Sequence, residues 1–121
     1  RFETFELPSN SLHLGYLPDH QVPLMLSSMN VVLSLNRESE FGHHSYPSKI
    51  YEAAAAGVPF VATSTLATRS VADTMTGILV PAGEIDKLAA ALTKAISIMP
   101  TAAPPPKPWS AVSIELEERL L

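Results

Sequence analysis

Cysteine is absent from the 121 residues, which excludes a disulfide framework and any zinc site built on thiolates. Such a chain suits a reducing compartment, and a cytoplasmic location is the expectation. Positive charge is also scarce: 8 Lys and Arg stand against 12 Asp and Glu, a net charge of −4. That balance leaves no basic footprint for nucleic acid or for an anionic membrane. No apolar run approaches the ~20 residues of a spanning helix, so no transmembrane segment is expected. No signal peptide is read at the start, and there are no internal repeats.

What is present is a core's worth of apolar residues: 46% of the chain is hydrophobic and only 17% is charged, which is globular rather than disordered. The length suits one domain of ordinary size. The chain opens on Arg1 rather than methionine and is expected to be a piece of something longer. Residues 1–10 read as a helix tail ended by Pro8 and a turn. Residues 12–17 (LHLGYL) alternate and predict a strand. A helix is expected from His20 to about Met29, with Asp19 as its cap and Pro23 in the tolerated early turn. Residues 31–35 (VVLSL) predict a strand, and residues 36–46 (NRESEFGHHSY) a polar loop, long enough to carry function.

Residues 47–63 (PSKIYEAAAAGVPFVAT) organise the rest. A helix is expected to start at Pro47 or Ser48 and to stop at Gly57, with Pro59 forbidding continuation. Phe60, Val61 and Ala62 then read as a strand covered on both faces. Residues 64–73 predict a turn and short helix, and residues 77–81 (GILVP) another strand. A long amphipathic helix follows over residues 84–99, with Ile85, Leu88, Leu92, Ile96 and Met99 at helical spacing. Residues 100–108 are a proline-rich linker. Residues 109–121 predict a final helix with Trp109, Val112, Leu116 and Leu120 on one side. Strands alternating with helices are the grammar of an α/β fold, a Rossmann-like parallel sheet with flanking helices. The domain is expected over residues 1–99.

Two residues of the central helix stand out. Lys49 places positive charge in the first turn, where the macrodipole is already positive and the amides lack partners. Glu52 is the lone carboxylate in a run of Ile, Tyr and Ala. One reading pairs them as a surface ion pair worth ~0.2–0.5 kcal/mol. The other places a phosphate at the helix start and a sugar hydroxyl on Glu52. Ligands of open parallel sheets bind at the carboxyl ends of strands, where this helix begins, which favours the second reading.

The runs LHLGYLPDHQVPLMLSSMNVVLSLN, SKIYEAAAAGVPFVAT and GILVPAGEIDKLAAALTKAI, in that order, resemble the second half of the donor-binding domain of GT-B fold glycosyltransferases, most closely family 4. The resemblance covers residues 12–99. It implies two Rossmann-like domains facing across a cleft. The second holds a nucleoside-diphosphate sugar and transfers its sugar with retention, as a hexosyltransferase of glycan biosynthesis, using no cofactor and no tightly bound metal. On the matching positions it implies that the amides around Ser48, Lys49 and Ile50 receive the diphosphate and that Glu52 grips the ribose. The family's donor-sugar glutamate lies eight positions before the ribose glutamate, where this chain has His44. Phe41 and Gly42 keep part of that motif, with Glu38 and Glu40 as candidates for a displaced carboxylate. The glycine-rich turn after the Phe60 strand is replaced by Thr65-Leu66-Ala67-Thr68-Arg69-Ser70. The family's N-terminal acceptor domain and its phosphate-clamping arginine and lysine would precede this chain. The chain alone is therefore expected to be inactive and to expose open sheet edges prone to self-association.

Two alternatives carry weight beside this one. One is a non-catalytic α/β module for self-association or regulation, and the other is a sugar-nucleotide epimerase of similar architecture. Among the remaining residues, His43 and His44 read as solvated loop histidines rather than metal ligands. Phe41 or Tyr46 would either stack on a nucleobase or anchor the loop. Asn36 and Arg37 follow a strand's carboxyl end, either within ligand reach or as turn residues. Arg69 is expected to be exposed.

Overall fold

In a computed structural model, residues 7–72 and 75–98 are described. A 3-10 turn, Asp19–Gln21, leads into α1 (Val22–Ser27), β1 (Val32–Ser34), α2 (Glu40–His44) and α3 (Ser48–Ala55). Then come β2 (Phe60–Thr63), α4 (Leu66–Ala72), β3 (Gly77–Val80) and α5 (Ile85–Ile96). The three strands form one parallel sheet in the order β1-β2-β3. Val32 sits opposite Phe60 and Phe60 opposite Gly77. This is the Rossmann-like α/β arrangement that the alternation of elements implied.

The middle strand explains why the sheet has two covered faces. All four residues of β2 are buried, and alternate side chains on a strand point to opposite faces. Phe60 and Ala62 join Leu26, Val32, Ile50, Ala53, Val58 and Val71 on the face covered by α1, α3 and α4. Val61 joins Val80, Ala91 and Ala95 on the face covered by α5. The turn from α3 into β2 is a Schellman closure. Gly57 stands at φ 72°, the Val58 amide donates to the Ala53 carbonyl at 2.9 Å, and the Gly57 amide donates to Ala54 at 3.0 Å. The chain thus reverses within three residues and puts Val58 back onto its own helix.

Several expectations need correction. Residues 12–17 form no strand: the sheet has three strands among the described residues, none of them here, and Leu12 and Tyr16 are 81% and 90% exposed. Alternation says which face of a strand would be apolar but not that the segment pairs, and this one pairs with no strand among the described residues. The helix placed at residues 20–29 begins as the 3-10 turn, and no side chain caps either piece, Asp19 included. The first residue of α3 is Ser48, with Pro47 rather than serine at the cap and no side-chain cap bond. On α5, Ile85 and Ile96 are exposed while Ala91 and Ala95 are buried. The small residues let the helix axis settle close to the sheet, which turns the ends of the isoleucine–leucine stripe outward. Residues 1–6, the linker at 100–108 and the helix expected at 109–121 lie outside the described residues.

Two glycines are irreplaceable for different reasons. A non-glycine residue at Gly57 must adopt the left-handed conformation, which costs ~1–2 kcal/mol. A Cβ at Gly77 would be driven into the ring of Phe60, the largest fully buried side chain. Gly57→Ala is expected to lower unfolding free energy by about 1–2 kcal/mol, and Gly77→Ala by about 1–3 kcal/mol. Urea denaturation midpoints measure both.

Candidate functional site

The face of α3 that does not enter the core carries the unusual residues. Ile50 and Ala53 point inward, fully buried. Lys49 and Glu52, three residues apart, point outward and are both exposed. They do not pair with each other, and among the described residues the ion pairs formed are His44–Glu40 and Lys87–Glu84. Lys49 and Glu52 instead line one crevice of about 380 Å³ with Val22, Met25, Leu26, Met29, Val31, Val32 and Leu33. Its floor follows the outer side of β1, which has no neighbouring strand among the described residues. A second groove of about 520 Å³, between the Asp19–Ser27 region and α3, shares Val22, Leu26 and Glu52 and adds Asp19, Ala55 and Ala56. Glu52 therefore stands on the ridge between two openings.

At the head of α3 the amides are unequally free. The Ser48 amide donates to the Tyr46 carbonyl and the Ile50 amide to Pro47, each at 3.0 Å. No partner takes the Lys49 amide among the described residues. The unsatisfied donors of a helix start are here reduced, and Lys49 supplies both the open amide and the ammonium.

The other sequence candidates gather elsewhere. The loop at residues 36–46 contains α2, capped by Ser39, whose hydroxyl accepts from the Gly42 amide at 3.1 Å. Gly42 is buried against the Arg37 carbonyl, with no room for a side chain. Glu38 and Glu40 are exposed, Phe41 is 79% exposed, and His44 lies 3.7 Å from Glu40 on the outer side of α2. None of these five lines either crevice beside Glu52. His43 is partly buried rather than solvated, and its Nδ1 is enclosed without a partner. Tyr46 stacks on Tyr51 with ring centroids 5.4 Å apart and planes 10° off parallel, which anchors the loop to α3. Burial first, then the charge and the hydrogen bond of Tyr46, raise the Tyr51 pKa above the ordinary tyrosine value.

Two features were beyond the residue-by-residue reading. Met25 of α1 and Met29, just past its end, form an apolar wall beside Lys49 and Glu52. Their four-residue spacing was the available signal, but it reads equally as core. The second feature is the buried threonine triad after β2. Thr65 and Thr68 exchange amide-to-hydroxyl bonds at 2.8 and 3.2 Å, a capping box with threonine in place of the usual glutamate. The Thr68 hydroxyl also donates to the Thr63 carbonyl at 2.7 Å, and the Thr63 hydroxyl accepts from the Asn36 amide at 3.0 Å. Arg69 is exposed and donates to the Thr65 carbonyl at 3.2 Å. No group of three His, Asp or Glu converges as a metal ion requires among the described residues. No helix there is long and apolar enough to cross a membrane.

Thr68→Val keeps the shape and strips the hydroxyl from four buried groups, the Thr65 amide, hydroxyl and carbonyl and the Thr63 carbonyl. It is expected to cost about 1–3 kcal/mol, whereas Ser70→Ala on the exposed side of α4 stays within about 0.5 kcal/mol. Thermal or urea unfolding distinguishes them. For Tyr51, a raised folded-state pKa favours the neutral phenol. Its stabilisation is complete below the unfolded value of about 10 and is lost as pH rises through the higher folded value. Absorbance titration of phenolate is expected to show one tyrosine ionising late, and Tyr46→Phe to bring it earlier.

Neither curated proteins nor solved structures include a match to the chain. The family model described as "Glycosyl transferases group 1" matches residues 3–97, which takes in the sheet, the crevice and the described helices. The chain belongs to the group 1 glycosyltransferases.

Proposed function

We propose that this chain holds the nucleoside-diphosphate sugar of a retaining glycosyltransferase, in the crevice between α1, the outer side of β1 and α3. The observation that carries the reading is the pair Lys49 and Glu52, unpaired side by side on the wall of an open crevice. In a protein, a lysine at a helix start without a counter-charge opposes the macrodipole; an anionic ligand removes the conflict and turns both into attraction. On this reading the diphosphate lies at the head of α3 against the Lys49 ammonium and amide. The Glu52 carboxylate, one turn further along, accepts hydrogen bonds from the ribose hydroxyls. Met25 and Met29 supply soft apolar surface for the nucleobase.

The chemistry asks for this arrangement. When the bond between the sugar's anomeric carbon and the phosphate oxygen breaks, the electron pair leaves with the phosphate. Charge grows there as the acceptor hydroxyl takes over the carbon. A fixed cation and an oriented amide beside that oxygen stabilise the growing charge more than the ground state. The donor-sugar contacts would come from the α2 loop, with Glu38, Glu40, Phe41, Gly42 and His44 as candidates. That loop must close toward α3 to deliver them. The 121-residue chain is expected to bind donor without transferring its sugar, the acceptor being held by a separate domain.

Titration with UDP, GDP and ADP is the test, with amide shifts followed from Ser48 to Glu52. Glu52→Ala is expected to weaken the preferred nucleotide about tenfold or more while leaving plain pyrophosphate nearly unchanged. Lys49→Ala is expected to weaken both. No shift with any nucleotide, together with a mass that rises with concentration, would overturn the reading in favour of self-association through the open side of β1.

A further inference from the structure

The buried threonines after β2 hold an arginine in place. The Thr65 carbonyl accepts from the Thr68 hydroxyl at 3.3 Å and from Arg69 Nε at 3.2 Å. Thr68 is fixed in turn by its 2.7 Å bond to the Thr63 carbonyl at the end of β2, and Thr63, Thr65 and Thr68 are all buried. Arg69 itself is exposed. A guanidinium carries five N–H donors. One goes to this mount, and those on the two terminal nitrogens have no partner among the described residues. No acid stands near in the sequence, since residues 64–72 (STLATRSVA) contain neither Asp nor Glu. Helix α2, which packs against α4, holds Glu40 beside His44 at 3.7 Å rather than beside Arg69.

The direction of the sheet decides where this cation stands. The strands are parallel, so the helices that follow them start at the carboxyl ends, where such sheets take ligands. Helix α3 lies over β1 and β2 and α4 over β3, both on one face of the sheet. With strands about 4.8 Å apart, the heads of the two helices are on the order of 10 Å from each other. The crevice beside Lys49 and Glu52 opens on the α1 side of α3. A donor with its ribose on Glu52 and its diphosphate at the head of α3 therefore carries its sugar across that head, toward α2 and Arg69.

We propose that Arg69 is a specificity-determining residue that takes the carboxylate of a sugar substrate, a uronic acid either on the donor or on the acceptor. This builds on the donor site at the head of α3 and names the class of sugar brought to it. Held through Nε, the guanidinium presents its two terminal nitrogens as a planar fork that matches the two oxygens of a carboxylate. The phosphates are already met by Lys49, and a neutral hydroxyl would leave the charge of the fork uncompensated. Because the threonine triad sets the fork in advance, little freedom is lost when the carboxylate arrives.

Ligand pairs that differ only at C6 of the sugar test this in the full chain. UDP-glucuronate against UDP-glucose and GDP-mannuronate against GDP-mannose serve for the donor, and methyl glucuronoside against methyl glucoside for the acceptor. Dissociation constants and amide shifts from Thr65 to Ser70 are the readouts. In at least one pair the acid is expected to bind about tenfold or more tightly than its neutral partner. Arg69 is exposed, so its variants keep the fold. Arg69→Gln is expected to erase the preference without changing the affinity for the neutral partner. Arg69→Lys, which keeps the charge but not the fork, is expected to retain only part of it. No preference in any pair, or a preference that survives Arg69→Gln, would overturn the assignment. Nucleotide binding without preference for the acid sinks this assignment alone and leaves the donor site standing. Where no nucleotide binds, the donor site fails, and the methyl glycosides still decide whether Arg69 takes a carboxylate.

Discussion

The reversal at Gly57 is the constraint on which the other parts depend. A helix can lie on a strand that directly follows it only if the chain turns back within a few residues. Here the left-handed glycine and two amide-to-carbonyl bonds accomplish that turn. Because the turn is tight, Ile50, Ala53, Val58 and Phe60 meet in one cluster, with Ile50, Ala53 and Phe60 fully buried. That packing fixes the rotation of α3 about its own axis. Once Ile50 and Ala53 must face inward, the residues one position before each of them, Lys49 and Glu52, must face out along a single line. The placement of the two charged groups therefore follows from the packing of their apolar neighbours.

This coupling also accounts for the shape of the crevice. Helix α1 contributes Leu26 to the same cluster and sits beside α3, with Ala55 and Ala56 lining the groove between them. The neighbouring crevice beside β1 has apolar walls, and its charged groups, Lys49 and Glu52, both come from α3. That is the usual division in a site where apolar surface holds a ligand and a few polar groups orient it. Its position along the outer side of β1 also couples the site to the sheet, since the strand that forms its floor is held by three residue pairs with β2.

Much of the fold was legible. Wherever a segment carried both a periodic apolar pattern and a stop signal, as in residues 47–63 and 77–96, element type and order followed from the residues. The segment at 12–17 was misread because alternation says which face of a strand is apolar but not whether a partner strand exists. The orientation of α5 was misjudged because the largest residues were taken as the buried ones. Contact with a sheet favours the small Ala91 and Ala95, which let the helix approach closely. At the site, Lys49 and Glu52 were legible because each was out of character for its position. Met25 and Met29 were not, since an apolar residue looks the same whether it fills a core or lines a crevice. The engagement of the Ser48 and Ile50 amides by Tyr46 and Pro47 was also hidden, because it depends on how the preceding loop enters the helix.

The hydrogen bond from the Asn36 amide to the Thr63 hydroxyl has a consequence for how the molecule tolerates change. It ties the exit of β1 to the end of β2, and the threonine triad ties that end in turn to the start of α4. At the other side of the loop, buried Pro47 sits at the root of α3. A loop moored at both roots can grow outward between them without transmitting the insertion to the strand register. The exposed positions between them, Glu38, Glu40 and Phe41 among them, are thus free to diverge while Gly42 and Tyr46 stay held by their packing, so new contacts can be tried there with little penalty to folding.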